Sequence, residues 1–155
     1  MTTPSIGSSA RAVHLTLAGA RTALEFARAD VLQDQLAVQA IAAPTGSERA
    51  RAEWTANRMR AIGLGDVRID AAGNVTGARE GTEPGPPVVV CAHLDTVFPA
   101  GTPLALTREG ERYIAPGIGD NARGLAAMLA VACAIDGRRL RTRRGNCRDR
   151  RRRDS

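Results

Sequence analysis

Residues 88–92 form an unbroken apolar run, Val-Val-Val-Cys-Ala, within the 155-residue chain. The run shows no alternation between apolar and polar residues, and its first three residues are β-branched. Strands with this pattern are typical of sheets that helices cover on both faces. The run therefore predicts a buried central strand, and such strands belong to α/β folds.

Helices are predicted before and after this strand in the sequence. Apolar residues recur at spacings near three and four from Ala12 to Ala42, which predicts one or two helices. A second amphipathic helix is predicted over Glu48–Ile62, with Ser47 as its cap. A further helix is predicted over Asn121–Ile135, with Asp120 opening it.

Short strands and turns are predicted between the helices. Val67–Asp70 and Asn74–Ala78 are predicted as two strands about the turn at Ala72-Gly73, and Leu104–Ile114 as a hairpin around Glu109-Gly110. The predicted order is two helical segments, two strands, the buried strand, a hairpin and a helix. This order predicts the α/β fold class.

The formal net charge of +6 is concentrated at one end of the chain. Ten arginines and three aspartates from Asp136 to Ser155 give +7, whereas the 12 arginines and 13 acidic residues before them give −1. A folded nucleic-acid-binding domain carries its basic residues on a structured face, so this distribution argues against that class. The alternative function that stays open is an Arg-rich tail that binds nucleic acid or an acidic partner with salt-sensitive, sequence-independent affinity.

Cysteine usage and hydropathy predict the compartment. Three cysteines are an odd and sparse set, which argues against a disulfide framework, and Cys91 and Cys133 are expected to be small buried hydrophobes. No stretch approaches the roughly 20 apolar residues that a membrane span needs. Residues 1–10 are polar and uncharged, so no cleavable signal is expected. These features predict a cytoplasmic protein without a membrane partner.

The apolar run leads into His93-Leu94-Asp95, the first candidate site. Residues two apart lie on the same face of a strand, so the imidazole and the carboxylate are expected on one side at the strand's exit, where α/β folds place their sites. Imidazole is a preferred zinc ligand, and a nearby carboxylate can orient it and fix its tautomer. The alternative is a surface loop that holds a His and an Asp incidentally.

The segment Gly117-Ile118-Gly119-Asp120-Asn121 is the second candidate site. It places a carboxylate at a predicted helix start behind a glycine turn. An ordinary N-cap is the alternative, since Asp is among the best residues there. A carboxylate with two free oxygens can instead bridge two metal ions, and two zinc ions roughly 3.5–4 Å apart lower the pKa of a shared water for amide hydrolysis.

Both segments resemble the first half of a known metal site. Residues 88–99, VVVCAHLDTVFP, and residues 116–124, PGIGDNARG, resemble the aminoacylase, acetylornithine deacetylase and peptidase T family of dinuclear zinc hydrolases. Ala43–Glu48 and Asp70–Val75 also match this family in order and spacing. The resemblance covers about Leu24 to Ile135. It implies that residues 1–135 are the N-terminal part of a zinc-exopeptidase-type three-layer α/β/α catalytic domain, truncated before its sheet is completed.

The resemblance implies roles for three residues. His93 would bind one zinc ion, Asp120 would bridge both ions, and the catalytic residue Asp95 would orient the site from behind. The implied cofactors are two divalent metal ions, zinc in the family, and the implied substrate is a peptide or N-acyl amino acid. Asn121 together with Arg123 favours the peptidase or carboxypeptidase branch.

The family completes its site with residues that this sequence lacks. They are a Glu-Glu pair that supplies the general base and a metal ligand, then another acidic ligand, and finally a His; the family's dimerisation domain is missing too. A catalytic zinc ion normally has three protein ligands and an open position. This sequence offers one imidazole and one or two carboxylates for two metal ions. Because these are too few ligands, we expect the fragment to be inactive by itself.

Residues 136–155 fall outside the family pattern and are expected to be disordered. Reading Asn146 to Arg153 one base out of frame permits Ile or Thr, Val or Ala, Ala, Thr, Val, Gly, Glu, Glu, given suitable codons. That sequence is typical of a buried strand ending in the missing pair, so a frameshift is one hypothesis for the tail. A genuine Arg-rich solvated tail is the alternative.

Overall fold

The computed structural model of the protein describes residues 21–22, 24–25, 28–81 and 85–135. The Arg-rich tail predicted at 136–155 lies outside the described residues, and so does the first part of the helical segment predicted from Ala12 to Ala42.

Within the described ranges, the helices that shape the core are α1 at Arg28–Gln39, α2 at Arg49–Ala61 and α3 at Gly124–Ala134. Each falls within a predicted helical segment. The end of α2 follows the glycine rule, because Gly63 adopts a φ of 81° just beyond it, a conformation that favours glycine.

The predicted cap of α2 is wrong. Glu48 occupies the N-cap position, and its side chain makes no capping hydrogen bond to the helix. The Glu48 carboxylate instead accepts a hydrogen bond from the Gly46 N–H at 2.6 Å. The Ser47 N–H donates to the Pro44 carbonyl at 2.8 Å, which makes Ser47 part of the preceding turn.

Two antiparallel hairpins confirm the predicted strand pairs. In the first, β1 at Gly65–Ile69 pairs with β2 at Val75–Ala78. In the second, β3 at Thr107–Glu109 pairs with β4 at Arg112–Ile114. Helices and short strands thus coexist as the α/β prediction requires, which is compatible with part of an α/β catalytic domain.

The prediction of a buried strand at residues 88–92 is wrong for this structure. The three valines that begin the run are 91%, 81% and 58% exposed. Among the described residues, both sheets are two-stranded hairpins that do not include this run, so no neighbouring strand covers it. An apolar run becomes a buried strand only when such neighbours are present. The three-layer arrangement around a central sheet stays a prediction.

The core lies where α3 meets the two other helices. One cluster of buried residues joins α1 to α3 through Val38, Ala122 and Leu125. A second cluster joins α2 to α3 through Met59, Ile62 and Leu129; Trp54 and Met128 pack against both clusters. Because α3 contributes to both, it fixes the positions of α1 and α2 relative to one another.

A buried ion pair adds a second link between α1 and α2. Arg58 Nε donates to both carboxylate oxygens of Asp34 at 2.9 Å, and the two side chains are 14% and 11% exposed. Removing one partner of such a pair leaves an uncompensated buried charge, at a cost of about 3–5 kcal/mol.

The cysteines differ from expectation. Cys91 is an exposed free thiol, and Cys133 is half-buried and disulfide-bonded. Among the described residues, no helix combines the length and apolar character required to cross a bilayer.

We expect the exposed valine run, Val88–Val90, to promote self-association, because the free energy falls when contiguous apolar side chains leave water and contact another chain. Val89→Asp should therefore lower the associated fraction at a given protein concentration, measured by sedimentation velocity. Val97→Asp is the matched control, since Val97 is 86% exposed but lies outside the run. Identical sedimentation of the Val89→Asp protein and the unmodified protein would contradict this expectation.

Candidate metal centre

His93 and Asp120 meet although they are 27 residues apart in sequence. His93 Nε2 lies 2.9 Å from Asp120 Oδ1, and the two side chains are 52% and 85% exposed. An imidazole nitrogen and a carboxylate oxygen thus face each other at the surface. Both are among the donors that zinc prefers.

Asp95 holds the other side of the imidazole. Its Oδ1 lies 3.0 Å from His93 Nδ1, and its backbone carbonyl oxygen lies 3.1 Å from the same nitrogen. The imidazole is therefore held between two carboxylates. A contact at Nδ1 fixes the orientation of the ring and leaves Nε2 directed at Asp120.

The charges around His93 alter its pKa. Burial lowers the pKa of the imidazole, but the hydrogen bonds to Asp120 and Asp95 and the negative charges of both raise it by more, so it lies above its usual value of 6.5. The stabilisation from these contacts is fully present below about pH 6.5 and is lost as the pH rises through the raised pKa.

Thr45 anchors Asp95 from the loop between α1 and α2. The Thr45 hydroxyl donates to Asp95 Oδ2 at 2.7 Å. This hydrogen bond, followed by the one to His93, lowers the pKa of the Asp95 carboxyl below its usual 3.8. The resulting stabilisation is present above about pH 3.8 and is lost as the pH falls through the lowered pKa. The sequence analysis matched Ala43–Glu48 to the family but gave Thr45 no role, because a threonine in a loop has no distinctive pattern.

The backbone aligns these two loops. The Thr96 N–H donates to the Ala43 carbonyl at 2.8 Å, and Pro44 and Thr96 form an isolated parallel bridge. This pairing holds the two segments side by side, so that Thr45 and Asp95, each one residue away from the bridge, lie close to one another. Thr45 therefore reaches Asp95 without a long side chain.

Asp120 does not open a helix as predicted. Its φ of −116° and ψ of 99° are not helical, and it lies in an irregular turn at Ile118–Arg123. The N-cap alternative is wrong too, because Arg123 takes the N-cap position of α3. The peptide bond between Asp120 and Asn121 is cis.

Asn121 links this turn to the backbone of His93. Its side-chain Nδ2 donates to the His93 carbonyl at 3.1 Å. A Cβ atom at position 124 would overlap the Asn121 side-chain amide, so this packing requires Gly124. From α1, Gln35 Nε2 donates to the Ile118 carbonyl at 2.8 Å and secures the start of the turn.

An open cleft adjoins the imidazole. It has a volume of about 520 Å³ and is lined by Cys91, Ala92, His93, Asn121 and Gly124. A ligand in this cleft would contact the exposed edge of His93 and the two residues that fix the turn.

The donor set fits part of a metal site. His93 Nε2 and Asp120 Oδ1 converge, whereas Asp95 is turned to the other side of the ring. Within the described ranges, no group of three His, Cys, Asp or Glu side chains is arranged to hold a metal ion. Two donors are fewer than the three that a catalytic zinc ion takes from a protein.

Comparisons with known proteins point to peptidases. The family described as Peptidase family M28 matches residues 74–145, a stretch that contains both His93 and Asp120. A peptidase T-like protein of Rhizobium meliloti (strain 1021) is 48% identical over 69 residues, or 41% of this chain and 17% of that protein. The resemblance to the peptidase T group is thus confirmed over part of the chain, which is related to peptidases there.

We expect Asp120→Asn to lower the pKa of His93 toward 6.5 in the metal-free protein, because the amide has no negative charge. NMR titration of the imidazole signals measures this pKa, and the chain has just two histidines to distinguish. Asp70→Asn is the control, since Asp70 interacts within its own turn, with Ala72 and Asn74. A His93 pKa that does not change in Asp120→Asn would contradict the expectation.

Thr45→Val should raise the pKa of Asp95 toward 3.8, because it removes the hydroxyl that donates to the carboxylate. Carboxyl carbon NMR against pH would measure the shift. Thr45→Ser retains a hydroxyl and should preserve the low pKa. The same Asp95 titration in the valine variant and the unmodified protein would rule out the role assigned to Thr45.

Proposed function

We propose that this chain contributes part of the metal centre of a zinc-dependent metallopeptidase or amidohydrolase. The reaction would be hydrolysis of a peptide or N-acyl amide bond by metal-activated water, with a peptide or N-acyl amino acid as substrate. The observation that carries the proposal is the 2.9 Å approach of His93 Nε2 to Asp120 Oδ1. The match to Peptidase family M28, which is generally zinc-dependent, supports it.

Three side chains have distinct tasks in this proposal. His93 would bind one of two divalent ions through Nε2, and Asp120 would bridge both through its carboxylate oxygens. Asp95 would hold Nδ1 so that the lone pair of Nε2 stays directed at the metal site. Bound zinc supplies Lewis acidity to the substrate carbonyl and lowers the pKa of a water.

The cleft beside His93 gives the proposed centre access to a substrate. Its Ala92 and Cys91 lining offers modest apolar contact, and Asn121 adds polar character. The 48% identity to a peptidase T-like protein favours a peptidase within the broader class of amide hydrolases.

We also propose that the 155-residue chain does not turn over substrate by itself. The described residues offer two converging donors, and the sequence contains no Glu-Glu pair to supply a general base. General base catalysis typically contributes 10²–10⁴-fold to a rate. A divalent ion held by two donors also remains largely solvated and binds weakly.

Residues 1–135 would then form the N-terminal part of a three-layer α/β/α catalytic domain, with the exposed valine run as a strand that requires neighbours. The cytoplasmic location and the lack of a membrane partner stay predictions. No observation on the described residues favours the alternative of nucleic-acid or acidic-partner binding, since Arg138 to Arg153 lie outside them.

We expect His93→Ala to abolish the binding of Co²⁺ or Zn²⁺, because it removes one of two converging donors. Asp95→Asn should weaken binding about 10–100-fold, the usual effect of losing the group that orients a ligating imidazole. Isothermal titration calorimetry with Zn²⁺ and the visible absorption of bound Co²⁺ measure both effects.

His14→Ala is the control, since His14 is the other histidine of the chain. Equal Zn²⁺ affinity in His93→Ala and the unmodified protein would refute the proposed centre. Hydrolysis of dipeptides or N-acyl amino acids by the pure, zinc-loaded chain would refute the proposed inactivity and leave the metal centre standing.

A further inference from the structure

Arg51 is among the most enclosed side chains of the described structure. It lies in the first turn of α2 and is 1% exposed. Its Nη1 donates to the Leu94 carbonyl at 2.9 Å, and its Nη2 donates to the Ile41 carbonyl at 2.6 Å. One guanidinium thus joins α2 to the segment after α1 and to the segment that carries His93 and Asp95.

The Leu94 carbonyl is the important acceptor, because its residue lies between the two side chains of the candidate centre. The Leu94 side chain packs against the core cluster that contains Val38 and Leu125. Its backbone is therefore held by Arg51 while its side chain is held by the core. With this residue fixed on both sides, the backbone that directs His93 and Asp95 has little freedom to rotate.

A contribution to the stability of the fold does not by itself explain why a cation occupies this buried position. Burial lowers the pKa of Arg51 and the charge of Asp95 raises it, so the carboxylate partly compensates the buried charge. The two hydrogen-bond acceptors are neutral carbonyls, and Nε has no partner among the described residues. An apolar side chain of similar size would avoid the cost of removing a charge from water.

We propose that Arg51 is a positioning residue for the candidate metal centre. Its guanidinium fixes the Leu94 peptide, so that Asp95 stays in contact with His93 Nδ1 and the imidazole stays directed at Asp120. The consequence for metal binding rests on the proposed function, whereas the effect on the metal-free geometry does not.

The planar fork of the guanidinium matters as much as its charge. Two donors from different nitrogens reach two carbonyls on separate segments, and a lysine ammonium is a compact point charge that lacks this fixed fork. Arg51→Lys should therefore preserve the charge near Asp95 but loosen the Leu94 peptide. A residue that acted through charge alone would be replaced by lysine without effect.

Arg58 offers a matched control on the same helix. It is also a largely buried arginine, but it pairs with Asp34 on α1 and not with the segment that carries His93 and Asp95. Arg51→Met and Arg58→Met each remove a buried guanidinium from α2. A general loss of stability is expected in both proteins, and a change at the candidate centre in the first alone.

The test uses the full chain without metal and then with Zn²⁺. In Arg51→Met, the backbone amide signals of His93 and Asp95 and the ring signals of His93 should shift in NMR spectra, and Zn²⁺ affinity should fall about 10–100-fold. Arg51→Lys should show smaller changes in the same direction. Arg58→Met should keep these signals and an affinity close to that of the unmodified protein.

Unchanged His93 and Asp95 signals in Arg51→Met, or equal changes in Arg58→Met, would overturn the proposal. If either methionine variant does not fold, Arg51→Lys and Arg58→Lys carry the same comparison. If the unmodified chain binds no Zn²⁺, the proposed metal centre fails, and the metal-free spectra still decide the role of Arg51.

Discussion

The backbone pairing of Ala43 and Pro44 with Thr96 is the contact on which the other site geometry depends. The hydrogen bond from the Thr96 N–H to the Ala43 carbonyl joins two segments more than 50 residues apart in sequence. It brings the start of α2 next to His93-Leu94-Asp95. The turn that presents Asp120 also packs against Thr96. Gly117 in this turn lies so close that a Cβ at its position would be 2.9 Å from Thr96 Cγ2. Both parts of the candidate centre thus pack against one buried threonine.

Local patterns predicted the elements that depend on local interactions. The bounds of α2 and of both hairpins agree with prediction to within a few residues, because helical periodicity and glycine turns are properties of short segments. The burial of the apolar run at residues 88–92 was predicted wrongly, since burial depends on neighbouring strands that the run's own sequence does not encode. Asp120 was misjudged as a helix start because aspartate at a helix N-terminus and aspartate in an irregular turn have the same local signature.

The three site residues predicted from sequence lie together, yet the groups that hold them were missed. Thr45 and Arg51 are polar residues in a loop and a helix, a pattern shared with solvated surfaces. Asn121 was noted in the second candidate segment and as a mark of the peptidase branch, without its role of holding the His93 backbone. A signal does exist in α2, where Arg51, Thr55 and Arg58 recur beside buried Ala52, Ala56 and Met59. Polar residues that border an apolar stripe are candidates for buried contacts. The implied zinc roles came from family resemblance, since spacing alone left an incidental loop and an N-cap open.

The approach of His93 to Asp120 has a consequence for the energetics of the whole chain. These residues are 27 positions apart, and the Thr45 to Asp95 contact spans 50. An ion held across such a site acts as a reversible cross-link, so its binding free energy becomes folding free energy. At a free concentration 100 times its dissociation constant, a ligand of the folded state adds about 2.7 kcal/mol to stability. The concentration of free metal ion would then determine both the fraction of the chain that is folded and the fraction that has the ion bound.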